Sequence, residues 1–74
     1  MTVPLWRGMT LTANGQAEIT DAPCSLEQFL IRQGLPPRSV VIEHNGDAVA
    51  SSEFPDRFIT EGDRLEIVQI VAGG

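Results

Sequence analysis

Four residues, Val71-Ala72-Gly73-Gly74, carry the strongest chemical suggestion in this chain. They complete an apolar run, Leu65-Glu66-Ile67-Val68-Gln69-Ile70-Val71, that reads as a strand. Glycine lacks a Cβ and passes where a bulky or conformationally restricted residue cannot. A strand that narrows to bare backbone suggests that its terminal carboxylate is threaded into another protein's active site. Gly74 then carries the reacting group, and Gly73 and Ala72 do the threading. A frayed terminus is the competing reading, because chain ends are often poorly tied down.

Residues able to act as a catalyst are few. His44 is the single histidine and stands beside Asn45-Gly46, which reads as a solvated turn position. Cys24 is the single cysteine, lies just before a helix start and reads as a structural thiol. Glu61 and Asp63 flank Gly62, and turn chemistry explains them better than a metal site that nothing completes. No phosphate loop, CxxC pair or triad spacing occurs. Neither a catalytic residue nor a metal ligand is assigned, which argues against a small enzyme.

The elements that must position the tail are legible. Met9-Thr10-Leu11-Thr12-Ala13 alternates as a half-buried strand, and Asn14-Gly15 suits the positive φ angles of a tight hairpin turn. Ala17 and Ile19 alternate with Gln16, Glu18 and Thr20 as its return strand. Ser25-Leu26-Glu27-Gln28 is a capping box, and Leu26, Phe29 and Leu30 share one face of a short helix over about Leu26 to Gln33. Gly34 ends the helix and Pro36-Pro37 prevents its continuation. Val40-Val41-Ile42-Glu43 forms a third strand, Asn45-Gly46 a second hairpin turn, and Ala48-Val49 a short fourth strand. Residues 51–60 are irregular, with Phe54 and Phe58 expected to anchor them in the core. Glu61-Gly62-Asp63 turns into a last strand over 64–71. One helix covers one face of a mixed sheet of four to five strands, a two-layer α+β domain.

The last strand has two faces. Leu65 and Ile67 share one with Gln69 and Val71; Glu66, Val68 and Ile70 share the other. With Leu65 and Ile67 turned to the helix, Val68 and Ile70 point outward as part of a partner-docking patch. Isolated surface apolar residues are also common, which is the plainer reading.

Size and charge bound the answer. Seventy-four residues make one domain with a small core and little room for an internal active site. The net charge of −5 argues against nucleic acid and is compatible with a partner that presents a basic surface. No apolar run reaches the ~20 residues that span a bilayer. Residues 1–8 resemble neither a signal peptide nor a strand, and are read as an N-terminal extension before a domain over 9–74. A lone cysteine permits no internal disulfide, which fits a reducing, cytoplasmic setting.

The hairpin, the helix and the ending Glu61-Gly62-Asp63-Arg64-Leu65-Glu66-Ile67-Val68-Gln69-Ile70-Val71-Ala72-Gly73-Gly74 resemble the sulfur carrier family ThiS of thiamine biosynthesis. The Asn45-Gly46 turn and Ser52-Glu53-Phe54 resemble it too, and the resemblance covers Met9 to Gly74. Many members carry Pro-Arg where this chain has Ala50-Ser51, and Trp where it has Phe54. The missing Arg bears on any partner contact made from that loop. The resemblance implies the ubiquitin-like β-grasp fold, with the first and last strands paired in parallel at the sheet centre. It implies a carrier that binds no cofactor of its own. A ThiF-type adenylyltransferase would adenylate the Gly74 carboxylate with ATP and magnesium. A sulfur donor such as a cysteine desulfurase would supply the sulfur of a thiocarboxylate. Thiazole synthase (ThiG) would take that sulfur into the thiazole ring. Two alternatives remain open. One is the small subunit of molybdopterin synthase or another ubiquitin-like sulfur carrier. The other is a non-covalent ubiquitin-like interaction module with an idle tail.

Overall fold

The computed structural model describes residues 8–70. Strand β1 (Gly8–Ala13) and strand β2 (Gln16–Asp21) form the first hairpin. Helix α1 (Leu26–Arg32) follows, then a 3₁₀ turn at Pro37–Ser39. Strand β3 (Val40–His44) and strand β4 (Asp47–Val49) form the second hairpin, and a 3₁₀ turn at Ser51–Glu53 leads toward strand β5 (Arg64–Gln69). The five strands lie in the order β2-β1-β5-β3-β4. β1 and β5 are parallel, and every other pairing is antiparallel. This is the mixed sheet and single helix expected of the β-grasp resemblance.

Each turn has a local cause. Asn14 and Gly15 have φ of 52° and 80°, and Asn45 and Gly46 have 52° and 88°. Two successive positive φ values give the turn whose twist matches that of a hairpin's strands, and Asn-Gly adopts them at low cost. The capping box forms as expected: Ser25 Oγ accepts from the Gln28 amide at 3.1 Å, and Gln28 Oε1 accepts from the Ser25 amide at 2.9 Å. Gly34, at φ 75°, closes the helix. Its N–H donates to the Ile31 carbonyl at 3.0 Å, and the Leu35 N–H donates to the Leu30 carbonyl at 2.9 Å. These two bonds satisfy carbonyls that the helix end leaves free and fold Leu35 back toward the core.

The core lies between α1 and the sheet. Leu26, Phe29 and Leu30 from the helix meet Leu11, Val40, Ile42 and Leu65 from the strands, with Phe54 and Ile59 closing the side. Two expectations are corrected. Phe58 is 50% exposed, and Ile59 takes the core position instead. The Ile59 amide donates to the Cys24 carbonyl at 2.8 Å, and a bridge between Ser25 and Phe58 sets the phase of the segment. In β2 the apolar Ile19 is 70% exposed while Thr20 is buried. The register Thr10↔Ile19 places Ile19 on the face away from the helix, and Leu11 opposite Glu18 already fills the inner side. β1 begins at Gly8, one residue inside the span read as an extension. The helix ends at Arg32 with Gln33 as its cap, one residue short of the sequence estimate.

Candidate functional site: the strand that leads to the diglycine

β5 lies at the centre of the sheet, and its backbone bonds alternate between two neighbours. The register pairs Val41 with Val68 and Glu43 with Glu66 on β3. The Asn45 amide donates to the Arg64 carbonyl at 2.8 Å, and the Ile70 amide donates to the Ser39 carbonyl. Even-numbered residues of β5 therefore turn their amides and carbonyls to the β3 side. Odd-numbered residues turn theirs to the β1 side. There Thr12 donates to the Asp63 carbonyl and Asn14 to the Leu65 carbonyl, each at 2.9 Å.

Beyond Ala13 the backbone of β1 turns away, and the Asn14 side chain takes its place. Oδ1 accepts from the Ile67 amide at 2.7 Å, and Nδ2 donates to the Ile67 carbonyl at 3.1 Å. One carboxamide thus copies the donor and acceptor of a strand residue and extends the β1–β5 ladder by a step. The sequence analysis assigned Asn14 to its turn alone. A carboxamide at the end of a parallel pair is a signal only once the pairing is known.

The side chains of β5 divide as the alternation implied. Leu65 is fully buried and Ile67 half-buried on the helix side. Val68 and Ile70 are 59% and 52% exposed on the opposite face. Val41 stands directly across from Val68 and is 50% exposed. The sequence reading overlooked Val41, although strict alternation through Val40-Val41-Ile42 turns the middle residue outward. Together the three give the open face an apolar strip. Its neighbour is a cleft lined by Glu43, Asn45, Gly46, Gly62, Arg64 and Glu66. Glu43 and Glu66 are direct cross-strand partners, so two like charges oppose each other beside the strip.

A buried polar cluster pins the start of β5. Contrary to the expectation of a solvated turn residue, His44 is buried. It has the same strand parity as Val40 and Ile42, and the turn begins only at Asn45. Its Nε2 lies 2.7 Å from Asp63 Oδ2, and its Nδ1 accepts from Arg57 Nε at 2.9 Å. The Arg57 donor leaves Nδ1 as the acceptor, so Nε2 carries the proton that is donated to Asp63. Asp63 also accepts from the Thr60 amide at 2.8 Å, from Thr60 Oγ1 at 2.9 Å and from Asn45 Nδ2 at 3.0 Å. Burial pushes its carboxyl pKa upward, but the donors from Thr60, Asn45 and His44 outweigh burial and bring it to about 2. Turn chemistry is the correct reading of Asp63, and the turn is one that gathers three segments. Glu61 instead binds Thr10, accepting from its hydroxyl and, at 3.0 Å, from its amide. These bonds lower the Glu61 pKa, against a small opposing effect of burial.

Cys24 is fully buried, within 3.5 Å of Thr20 Oγ1, as expected of a structural thiol. Among the described residues no group of three His, Cys, Asp or Glu is placed to hold a metal ion. No helix among them is long and apolar enough to cross a membrane. Ala72, Gly73 and Gly74, the positions read as the threading and reacting residues, lie outside the described residues.

Comparison with known proteins bears on the whole stretch. The model of the ThiS family matches residues 9–74. The crystal structure of a thiamine biosynthesis protein, ThiS, from Geobacter metallireducens superposes with a TM-score of 0.76 at 25% identity, covering 89% of this chain and 100% of that one. A thiazole synthase from Paramagnetospirillum magneticum is 33% identical over 66 residues, which are 89% of this chain and 20% of the relative. The chain thus spans about a fifth of the length of that curated relative.

Proposed function

Because the chain belongs to the ThiS family, we propose that it is a sulfur carrier of thiamine biosynthesis whose Gly74 carboxylate is the group that is loaded. The observation that carries the reading is the family match itself, which extends from the first hairpin through Gly73-Gly74. The geometry supports it: the strand that leads to those glycines is bonded on both flanks and pinned at its start, so the tail leaves from a rigid base. Four extended residues reach about 13–14 Å, enough to enter a buried site while the domain stays outside.

A carboxylate is an anion and a poor electrophile. Its oxygen attacks the α-phosphorus of ATP, pyrophosphate leaves, and the acyl carbon gains AMP as a leaving group. Magnesium and cations of a ThiF-type adenylyltransferase hold the phosphate charge. A sulfur nucleophile then displaces AMP; the persulfide of a cysteine desulfurase would give an acyl disulfide, from which a second thiol releases the thiocarboxylate while forming a disulfide with the desulfurase cysteine. With hydrosulfide itself the products are the thiocarboxylate, AMP and a proton. A Cβ at Gly73 or Gly74 would crowd the carbonyl under attack. The sulfur then passes to thiazole synthase. A protein named thiazole synthase that contains a stretch 33% identical to this chain supports that partner. The open face gives the two enzymes an apolar strip, Val41, Val68 and Ile70, with Glu43 and Glu66 beside it to meet basic residues.

The test is mass spectrometry after incubation with ATP, magnesium, a ThiF-type adenylyltransferase and sulfide. The expected gain is one oxygen-to-sulfur exchange at Gly74, abolished by Gly74→Val or by deletion of Gly74 with the circular dichroism unchanged. An unchanged mass with an enzyme that loads its own carrier identifies a non-covalent module instead. Normal loading of the Gly74-deleted chain removes Gly74 from the mechanism.

A further inference from the structure

β2 is an edge strand: it pairs with β1 on one side, and among the described residues no strand lies on the other. The two-residue turn Asn14-Gly15 makes Ala13↔Gln16 a hydrogen-bonded pair, and bonded pairs recur at Leu11↔Glu18 and Met9↔Thr20. Ala17, Ile19 and Asp21 fall between them. Their N–H and C=O groups therefore point to the open edge, where none has a partner among the described residues. Ile19, on the face away from the helix, is 70% exposed, more than any other large apolar side chain described. An open edge is commonly guarded by a charge turned to the inner side, and Glu18 stands there half-buried. A cation is built beside it. Arg32 Nη1 donates to Thr20 Oγ1 at 3.0 Å, on the same inner side of β2. Neither Arg32 nor Glu18 forms an ion pair among the described residues.

We propose that two copies of this chain pair through their β2 edges, antiparallel and with the two-fold axis at Ile19, into one continuous sheet. In this register Ile19 faces the second copy's Ile19 and Ala17 faces its Asp21, and these pairs exchange backbone bonds. Glu18 faces the second copy's Thr20 in the closer type of pair, with Cβ atoms about 4.5–5.5 Å apart. Because Arg32 is bonded to Thr20, each Glu18 meets the other copy's Arg32, once on either side of the axis. The two Ile19 side chains cover each other on the outer face. Neighbouring registers lose these matches. An axis at Glu18 sets the two Glu18 carboxylates against each other, and an axis at Thr20 sets Ile19 against Asp21. The edge carries both members of its own ion pair, which is the self-complementarity of a two-fold contact and selects a second copy as the occupant. A contact of one strand falls below the ~1,200 Å² of a stable interface. Each copy also carries a net charge of −5, so the association is weak and grows with concentration. β2 lies at the far end of the sheet from β3 and β4, and pairing leaves Val41, Val68 and Ile70 open. It uses none of the groups proposed for sulfur loading, so either reading can fail alone.

Exchanging the two charges tests the register. Glu18→Arg sets arginine against arginine on both sides of the axis, and Arg32→Glu sets glutamate against glutamate. Each variant alone should remain monomeric where the wild-type chain dimerises. Mixed in equal amounts, the two regain both ion pairs in a heterodimer. Sedimentation velocity between about 10 μM and 1 mM, the range in which weak contacts populate, reads the outcome. The sedimentation coefficient should rise with concentration for the wild type and for the mixture and stay at the monomer value for either variant alone, with circular dichroism unchanged in all. In the wild-type chain, NMR-detected exchange of the Ile19 amide should slow by about threefold or more over that range, while the Leu11 amide, bonded within the hairpin, keeps its rate. This second measurement needs no variant and decides the matter even where Arg32→Glu fails to fold. A wild-type chain that stays monomeric, with an Ile19 amide indifferent to concentration, overturns the proposal. Dimerisation that both variants retain places the contact on another surface and overturns it as well, as does a mixture of the folded variants that stays monomeric.

Discussion

Asp63 shows how much one side chain organises here. Its carboxylate accepts from Thr60, Asn45 and His44, and so ties the 57–63 segment and the second hairpin to the start of β5. The carboxyl pKa is lowered from 3.8 to about 2 in the folded chain. A depressed carboxyl stabilises the fold fully above its unfolded pKa, and that stability is lost as pH falls through the folded value. The contribution is on the order of 2 kcal/mol above about pH 5 and drains away between about pH 4 and pH 2. Asp63→Asn should therefore lower stability at neutral pH by an amount of that order and flatten this acid limb. Urea titrations of both chains across that range measure it. An equally steep acid limb in the variant would place the titrating group elsewhere. His44 belongs to the same cluster, so its loss and that of Asp63 are expected to be non-additive. The ion pair from Arg57 to Asp47, at 3.6 Å with Asp47 mostly exposed, adds little.

Among the elements, the first hairpin does more than turn the chain. Its Asn14 combines a φ of 52° with a side chain that pairs both polar groups of Ile67. Asn14→Ala would strain the turn and strip two bonds from β5 at once. The expected cost is about 2 kcal/mol in chemical denaturation. Faster exchange of the Ile67 amide should accompany it, and an Ile67 amide as protected as in the wild type would show that the carboxamide is dispensable. Asn45 is a useful contrast. It occupies the matching turn position with the same φ, yet its side chain serves Asp63 and the Arg64 amide. The same dipeptide is a turn signal in both hairpins, and what its amide reaches differs with the neighbouring strand. The helix, seven residues long, depends on its capping box and on the two bonds after Gly34. A helix this short is marginal alone and is held by packing Leu26, Phe29 and Leu30.

At the scale of the whole molecule, the helix covers one sheet face and leaves the other with Val41, Val68 and Ile70 exposed. Val68→Asp should leave folding intact, since more than half of the side chain already meets solvent. If that strip docks the enzymes, the same change should reduce the kcat/KM of sulfur loading by about tenfold or more, with most of the loss in KM. Loading at the wild-type rate would move the docking surface elsewhere. The net charge of −5 and the opposed Glu43 and Glu66 should make association with a basic partner weaken as salt rises.

Local signals determined a good deal by themselves. The two Asn-Gly turns, the capping box, the Gly34 stop and the alternation of the last strand each depend on a few neighbouring residues, and each stands where its pattern placed it. The diglycine and the run before it resemble the family to which the chain proves to belong. Other features depend on contacts between distant segments. The inward turn of His44 follows from the phase of β3, and its meaning from Asp63, nineteen residues away. The choice of Ile59 over Phe58 follows from a bond to Cys24, and the outward turn of Ile19 from its register with Thr10. Local patterns are written by chain geometry within a few residues. Register, strand order and buried partners arise from packing across the sheet, and only the folded molecule decides those.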